Sequence, residues 1–258
     1  MHIYFVIVLF IIGASLGSFF NVCIYRIPNK QSVVNLESYC YNCKTRLNLL
    51  DLIPILSWSL LKGKCRYCGQ NISLRYTLVE LLTGILFVLV YSMYGLNIIS
   101  LYYLLLVSLL VIITFIDLDH YIIHDELIIF GLVGALIFNI LGIGISLNES
   151  LLGGLICGVG MLLLINLIEF IIKKEIMGGG DIKLFVMIGI FLGIKLGLLT
   201  MLLSIYTGSI YGVSNIIYSR FKKKEFNLMM PYGPFISIGA LISILYSTNV
   251  INWYIGLF

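Results

Sequence analysis

Apolar residues run along this chain in blocks, not in alternation. Ile3 to Tyr25 is almost uninterrupted, and comparable runs cover residues 76–94, 98–118, 126–145, 150–172, 181–193, 196–219 and 232–247. Apolar stretches of about 18 residues or more suit helices that cross a bilayer, and the two-residue alternation of a membrane β-barrel strand is absent. The pattern predicts an all-α polytopic membrane protein of about eight transmembrane helices. The run at 181–193 is short for a full crossing. One long polar stretch, residues 26–75, interrupts the series as an insertion after the first helix. No internal repeat or low-complexity linker is evident. The expected organisation is therefore a first transmembrane helix at 1–25, the insertion at 26–75, and a membrane-embedded domain at 76–258.

Composition agrees: of 258 residues 60% are hydrophobic and only 11% charged, a balance foreign to soluble domains of this size. The first apolar run lacks a basic n-region and a small-residue cleavage site and continues into Arg26, so it reads as a retained helix and not a signal peptide. Lys and Arg cluster between Arg26 and Arg75, at Lys173-Lys174, at Lys183 and from Arg220 to Lys224, with Lys195 apart. The positive-inside rule puts these clusters in the cytoplasm. With the amino terminus outside, successive helix pairs return residues 117–125 and 173–181 to that face and leave Lys195 outside. The basic loops are thus explained by topology, with the lipid bilayer as partner and no nucleic acid. Trp253 and Tyr254 suit an interfacial aromatic belt.

The insertion carries Cys40-Tyr41-Asn42-Cys43 and Cys65-Arg66-Tyr67-Cys68, two CxxC pairs separated by 21 residues. That spacing is close to a four-cysteine zinc site, in which two knuckles complete a tetrahedron and leave no position open for water. Two disulfides or free thiols are the other readings, and a cytoplasmic position argues against disulfides. Cys40, Cys43, Cys65 and Cys68 are therefore expected to bind a structural Zn2+, with Lys44, Lys64 and Arg66 offsetting the thiolate charge. Cys23 and Cys157 lie in apolar runs and read as packing residues.

Carboxylates are costly near a bilayer and are usually functional there. Asp181 follows Gly178-Gly179-Gly180, glycines that remove side-chain bulk and admit backbone conformations closed to other residues. An extended peptide could lie there beside the acid, with Gly178, Gly179, Gly180 and Lys183 as candidate substrate contacts. An aspartyl protease needs a second carboxylate, so that one acts as base on water while the other, protonated, polarises the scissile carbonyl. Asp117, Asp119 and Asp125 are the candidates, and Asp117, next to the apolar stretch Val111 to Ile116, is the most deeply placed. Asp125 also reads as an N-cap of the following helix. His120 and His124 read as interfacial, with no HExxH pattern beside them. Glu80 and Glu169 lie within or at the ends of apolar runs. Each either snorkels and pairs with Arg75 or Lys173, or, for Glu80, receives a substrate's positive amino terminus.

These motifs in this order resemble the type IV prepilin peptidases, aspartyl proteases of the GxGD class, over nearly the whole chain. Gly13-Ala14-Ser15-Leu16-Gly17-Ser18-Phe19-Phe20-Asn21-Val22 with Arg26-Ile27-Pro28 is similar to the family's amino-terminal signature. The double CxxC, with Asp51 to Trp58 between the pairs, resembles its insertion, and Ile72 to Tyr76 with Val79 to Gly84 the segment that follows. Ile116-Asp117-Leu118-Asp119 matches the first catalytic motif, whose leading aspartate is Asp117, and Gly178 to Leu184 the second. The resemblance implies a catalytic pair, Asp117 and Asp181, in a peptidase domain at 76–258. It implies removal of the basic leader of prepilins and pseudopilins, after a glycine, at the cytoplasmic face of the inner membrane, in type IV pilus or type II secretion systems. It also implies N-methylation of the new terminus with S-adenosylmethionine, linked to helix 1 and the cysteine insertion. No glycine-rich fingerprint marks a methyl-donor pocket. Where family members usually carry Pro-Asp, this chain has His124-Asp125, which puts the loop geometry before the next helix in question. An ion- or proton-coupled transporter using membrane aspartates is the alternative, against which stand the cysteine insertion and the lack of paired halves. A zinc-bearing scaffold without chemistry is a third.

Overall fold

The computed structural model describes residues 2–34, 38–40, 42–173, 177–222 and 230–255; the side chains of His2 and of residues 246–255 lie outside that description. Lys174, Lys223 and Lys224, and the side chains of Trp253 and Tyr254, therefore fall outside it. Among the described residues the regular secondary structure is helical, apart from two isolated bridges. The helices are α1 (His2–Arg26), α2 (Leu56–Leu60), α3 (Leu74–Tyr94), α4 (Ile98–His120), α5 (Asp125–Ile140), α6 (Leu147–Ile172), α7 (Gly179–Lys222) and α8 (Gly233–Ile255), with a short 3-10 turn at Leu49–Leu52.

Each apolar run has become a helix or part of one, but eight spans do not follow. Among the described residues five helices, α1, α3, α4, α6 and α7, are long and apolar enough to cross a membrane. At 16 residues α5 reaches about 24 Å, short of a 30 Å hydrocarbon core. The runs expected as two helices at 181–193 and 196–219 are two helices, grouped here as α7 and separated by the non-helical Gly193. There φ is 73° and ψ −171°, a conformation in essence reserved for glycine.

The chain forms two compact units, residues 1–100 and 101–258. In the first, α1 lies along α3. Gly13, Gly17 and Asn21, spaced four apart, make one stripe on α1. A Cβ on Gly17 would stand 2.8 Å from the Glu80 Cα, and the Asn21 amide donates to the Tyr76 carbonyl at 3.0 Å. The amino-terminal signature is thus a close-packing seam. In the second unit α7 packs against α5, α6 and α8. Gly153 of α6 and Gly189 of α7 meet backbone to backbone, as small residues allow between membrane helices. Cys157, fully buried, fills the space over Gly197, the packing role expected of it.

The break at Gly193 is braced by side chains. The Ile190 carbonyl accepts from Ser150 Oγ at 2.8 Å and from Asn139 Nδ2 at 3.3 Å, and the Phe191 carbonyl accepts from the Tyr102 hydroxyl at 2.7 Å. Backbone groups in an apolar interior need such partners wherever a helix is interrupted. This network holds the amino-terminal part of α7, and with it Asp181, against α4 and α6.

Candidate active site and metal centre

Asp117 lies in the last turn of α4, only 4% exposed, and α4 ends at Tyr121, whose φ is +57°. The chain then drops through the buried Ile123 to α5. Gly180 rests on that loop, where an added Cβ would lie 3.1 Å from the Ile123 Cβ. This contact joins the loop after Asp117 to the first turn of α7, and the Asp181 and Asp117 carboxylates come within electrostatic reach of each other. Closing the site is the start of α8: the Gly233 amide donates to Asp117 Oδ2 at 2.7 Å. Tyr232, packed over Gly208, stands within electrostatic reach of Asp181.

Of the three possible partners for Asp181, the structure brings Asp117. Asp119 is exposed. The N-cap reading of Asp125 is corrected: His124 is the N-cap residue, and Asp125, in the first turn of α5, receives Lys183 Nζ on both oxygens at 2.7 and 2.8 Å. Both partners are more than half exposed, so the pair contributes at most about 1 kcal/mol. The Lys183 ammonium is therefore engaged by Asp125. His124 has φ −77° and ψ 128°, close to the φ a proline would impose, so the His-Asp departure leaves the loop in an extended, proline-like conformation.

The three glycines before Asp181 act through bulk and not through unusual torsions, for none has positive φ. Gly178 and Gly179 are exposed, and a Cβ on Gly179 would meet nothing within 4 Å. A Cβ on Gly178 would lie 3.7 Å from Asp181 Oδ2, so the surface beside this carboxylate is open backbone.

The cysteines form a separate centre in the first unit. The four Sγ atoms lie within 4.8 Å of one another, Cys40 and Cys68 at 3.9 Å, and none is in a disulfide. Tetrahedral Zn2+ with bonds of about 2.3 Å requires sulfurs about 3.8 Å apart, so the donor set fits that ion. The two expected knuckles build it with matching hydrogen bonds. The Cys40 amide donates to Thr45 O and the Lys44 amide to Cys40 O; the Cys65 amide donates to Gln70 O and the Gly69 amide to Cys65 O. Lys44 and Gly69 both have positive φ, and bridges Tyr39–Arg46 and Lys64–Asn71 flank the two knuckles. Hydrogen bonds from the Thr45 hydroxyl and amide push the Cys43 thiol down to about 6, towards the thiolate a metal needs.

The cations expected around the thiolates are partly engaged elsewhere. Lys44 lies 5.5 Å over the Tyr39 ring, and Arg66 Nε donates to Asp51 Oδ1 at 2.6 Å. Asp51 also accepts from the Tyr67 hydroxyl at 3.0 Å and the Asn48 amide at 3.1 Å. Burial pushes the Asp51 carboxyl up, but these donors outweigh it and hold it below the usual range. Asp51 thereby ties the 49–52 turn to the second knuckle.

Glu80 is 8% exposed and faces this lobe, accepting the Ile55 amide at 2.7 Å. Sequence reasoning passed over Gly233, Tyr232 and Asp51. The signal for the first two is Pro231-Tyr232-Gly233-Pro234, which holds two of the chain's four prolines.

Residues 11–94 match the Bacterial Peptidase A24 N-terminal domain, and residues 104–213 match the Type IV leader peptidase family. A protein of Aeromonas salmonicida (strain A449) named prepilin leader peptidase/N-methyltransferase is 33% identical over 96% of this chain and 92% of its own length. Proteins of the same name from Bacillus subtilis (strain 168) and Legionella pneumophila are each 33% identical, over 96% and 94% of this chain and 97% and 91% of theirs. No solved structure matches the chain. Transporters find no support in these likenesses. With both domains matched in order and relatives aligned nearly end to end, the chain belongs to the type IV leader peptidase family, a family of peptidases.

Proposed function

We propose that this chain is a membrane aspartyl endopeptidase that removes the leader of prepilins and pseudopilins, after a glycine, at the cytoplasmic face of the inner membrane, and then N-methylates the new terminus. The observation that supports the peptidase reading is that Asp117 and Asp181 lie within electrostatic reach of each other beside the open backbone of Gly178 and Gly179. In this reading the substrate backbone lies along those glycines. One aspartate, ionised, takes a proton from a water as its oxygen attacks the scissile carbonyl. The other, protonated, donates to the carbonyl oxygen, and the proton held by the first then passes to the leaving amine. The Gly233 amide fixes the orientation of Asp117 throughout.

The relatives' name implies S-adenosylmethionine, which supplies a methyl group on a sulfonium. The residues of the chain must hold the new α-amino group neutral, in line with that methyl, and exclude water. Cys40, Cys43, Cys65 and Cys68 would hold a Zn2+ that orders the lobe and, having four protein ligands, leaves no position for a reacting water.

Co-expression of a prepilin with the wild type, Asp117→Ala or Asp181→Ala tests the peptidase reading. The wild type is expected to shorten the prepilin, and either variant to insert in the membrane and leave the leader attached. Full cleavage by either variant contradicts the pairing. Mass spectrometry of the mature amino terminus shows whether the methyl group is added.

A further inference from the structure

The first unit contains a chamber of about 350 Å3 between the cysteine lobe and α3, lined by Trp58, Arg66, Tyr76, Thr77 and Glu80 among others. Its volume falls in the range of small-molecule sites. We infer that this chamber binds the methyl donor, S-adenosylmethionine, with Glu80 facing its sulfonium and Trp58 its adenine. The inference rests on the methylation reading above.

Three features point to a ligand. Glu80 is a carboxylate buried in a mostly apolar wall without a cationic partner among its hydrogen bonds, which come from the Ile55 amide at 2.7 Å and the Ser18 hydroxyl. A buried carboxylate calls for compensating positive charge, and a sulfonium is a cation with little hydration to lose. The second feature is the strain that holds it. Ile55, a β-branched residue, sits at φ +64° and ψ −49°, and in that conformation delivers its amide to Glu80. Such outliers persist where a site over-determines them. The third is the Thr77 hydroxyl, 8% exposed and lining the same chamber, whose Oγ has no hydrogen-bond partner among the described residues. Orphaned buried hydroxyls are rare in folded proteins and mark a missing partner.

The wall is prebuilt for a flat ring. Trp58 Nε1 donates to the Ile72 carbonyl at 3.0 Å, which fixes the indole, and Gly63 at φ +69° lies against its edge. Aromatic faces bind both cations and flat heteroaromatic rings. Arg66, held through Nε by Asp51, supplies a cation at the lining for the donor's α-carboxylate. These residues all lie within 11–94, the segment that matches the family's separate N-terminal domain.

The test is calorimetry on the full-length, zinc-loaded protein in lipid nanodiscs, titrated with S-adenosylmethionine and with S-adenosylhomocysteine, which lacks the sulfonium charge. Glu80→Gln, which keeps the acceptor for Ile55, is expected to weaken the charged donor about tenfold and the neutral product far less. Thr77→Val is expected to weaken both about fivefold, while the melting temperature without ligand stays level or rises because a buried unpaired hydroxyl has gone. Thr77→Ser is expected to restore binding. Wild-type binding that Glu80→Gln and Thr77→Val both leave untouched overturns the chamber and leaves the methylation reading standing. A wild type that binds neither compound and yields unmethylated product overturns the methylation reading itself.

Discussion

Replacing Gly233 with Ala isolates the contact between α8 and the candidate dyad. The Gly233 amide stands 2.7 Å from Asp117 Oδ2. An added Cβ would lie 2.8 Å from that oxygen and 3.2 Å from the Asp117 Cβ and Cγ, whereas ordinary contact begins at 3.4 Å, so the carboxylate must withdraw by about 0.6 Å (3.4 − 2.8). That stretches the hydrogen bond beyond about 3.2 Å, the outer limit for N–H···O. A hydrogen bond to a charged group is worth about 1.5–3 kcal/mol, or about 10- to 150-fold in rate. A misplacement approaching 1 Å in a catalytic group costs about 100-fold by itself. The two figures describe one displacement and are not summed, so kcat is expected to fall about 100-fold. KM should stay within about twofold, since the open backbone of Gly178 and Gly179 is untouched. The φ at 233 is open to alanine, so the helix should form as before. The assay is leader cleavage of a purified prepilin in nanodiscs, with kcat and KM determined separately and helix content checked by circular dichroism. A variant with kcat within about threefold of the wild type refutes the positioning of Asp117 by this amide.

Gly153→Ala should lower the melting temperature by the cost of overpacking, about 1–3 kcal/mol, because its methyl meets the Gly189 carbonyl and, at 2.7 Å, the Gly193 Cα; an unchanged melt in detergent contradicts the crossing. Asp51→Asn removes the charged acceptor shared by Arg66, Tyr67 and Asn48 and should weaken zinc retention about 10-fold, measured by competition with a chromophoric chelator. Acidification should release the metal before it disturbs Asp51. In the metal-free lobe the Cys43 thiol, lowered to about 6, takes up a proton below that pH and so competes with the metal, whose own charge moves the release to lower pH, while Asp51, held below the usual carboxylate range, keeps its ties as the pH falls towards about 4. Metal retained unchanged at pH 4 by equilibrium dialysis contradicts the ligand set.

Much of the fold was legible because helices in lipid are specified locally. A run of apolar residues long enough to cross is a helix whatever its neighbours, since its backbone must be satisfied within the segment. The eight runs thus reappear in α1, α3, α4, α5, α6, α7 and α8, two of them grouped in α7. Whether a run can cross was less legible. The run at 126–145 is helical only to Ile140, and the chain can leave helical geometry at Gly193 because Ser150, Asn139 and Tyr102 take over the carbonyls at the break. The cysteine cluster was readable from spacing, since each CxxC knuckle is set by hydrogen bonds within six residues. The small turn at Leu49–Leu52 and helix α2 were not, because the insertion has little apolar periodicity to announce them.

By itself, then, the sequence determined an all-α membrane protein, the family, the four clustered thiols and the acid behind three small residues. Each depends on composition or on neighbours a few positions apart. Only the tertiary structure decided that the loop after Asp117 rests on Gly180, that Asp125 is engaged by Lys183, that Glu80 takes the Ile55 amide, and that Gly233 reaches Asp117 across 116 positions of chain. Such pairings are settled by how helices cross and which backbones come close. A carboxylate carries the same local signature whether it faces another carboxylate, a lysine or an amide.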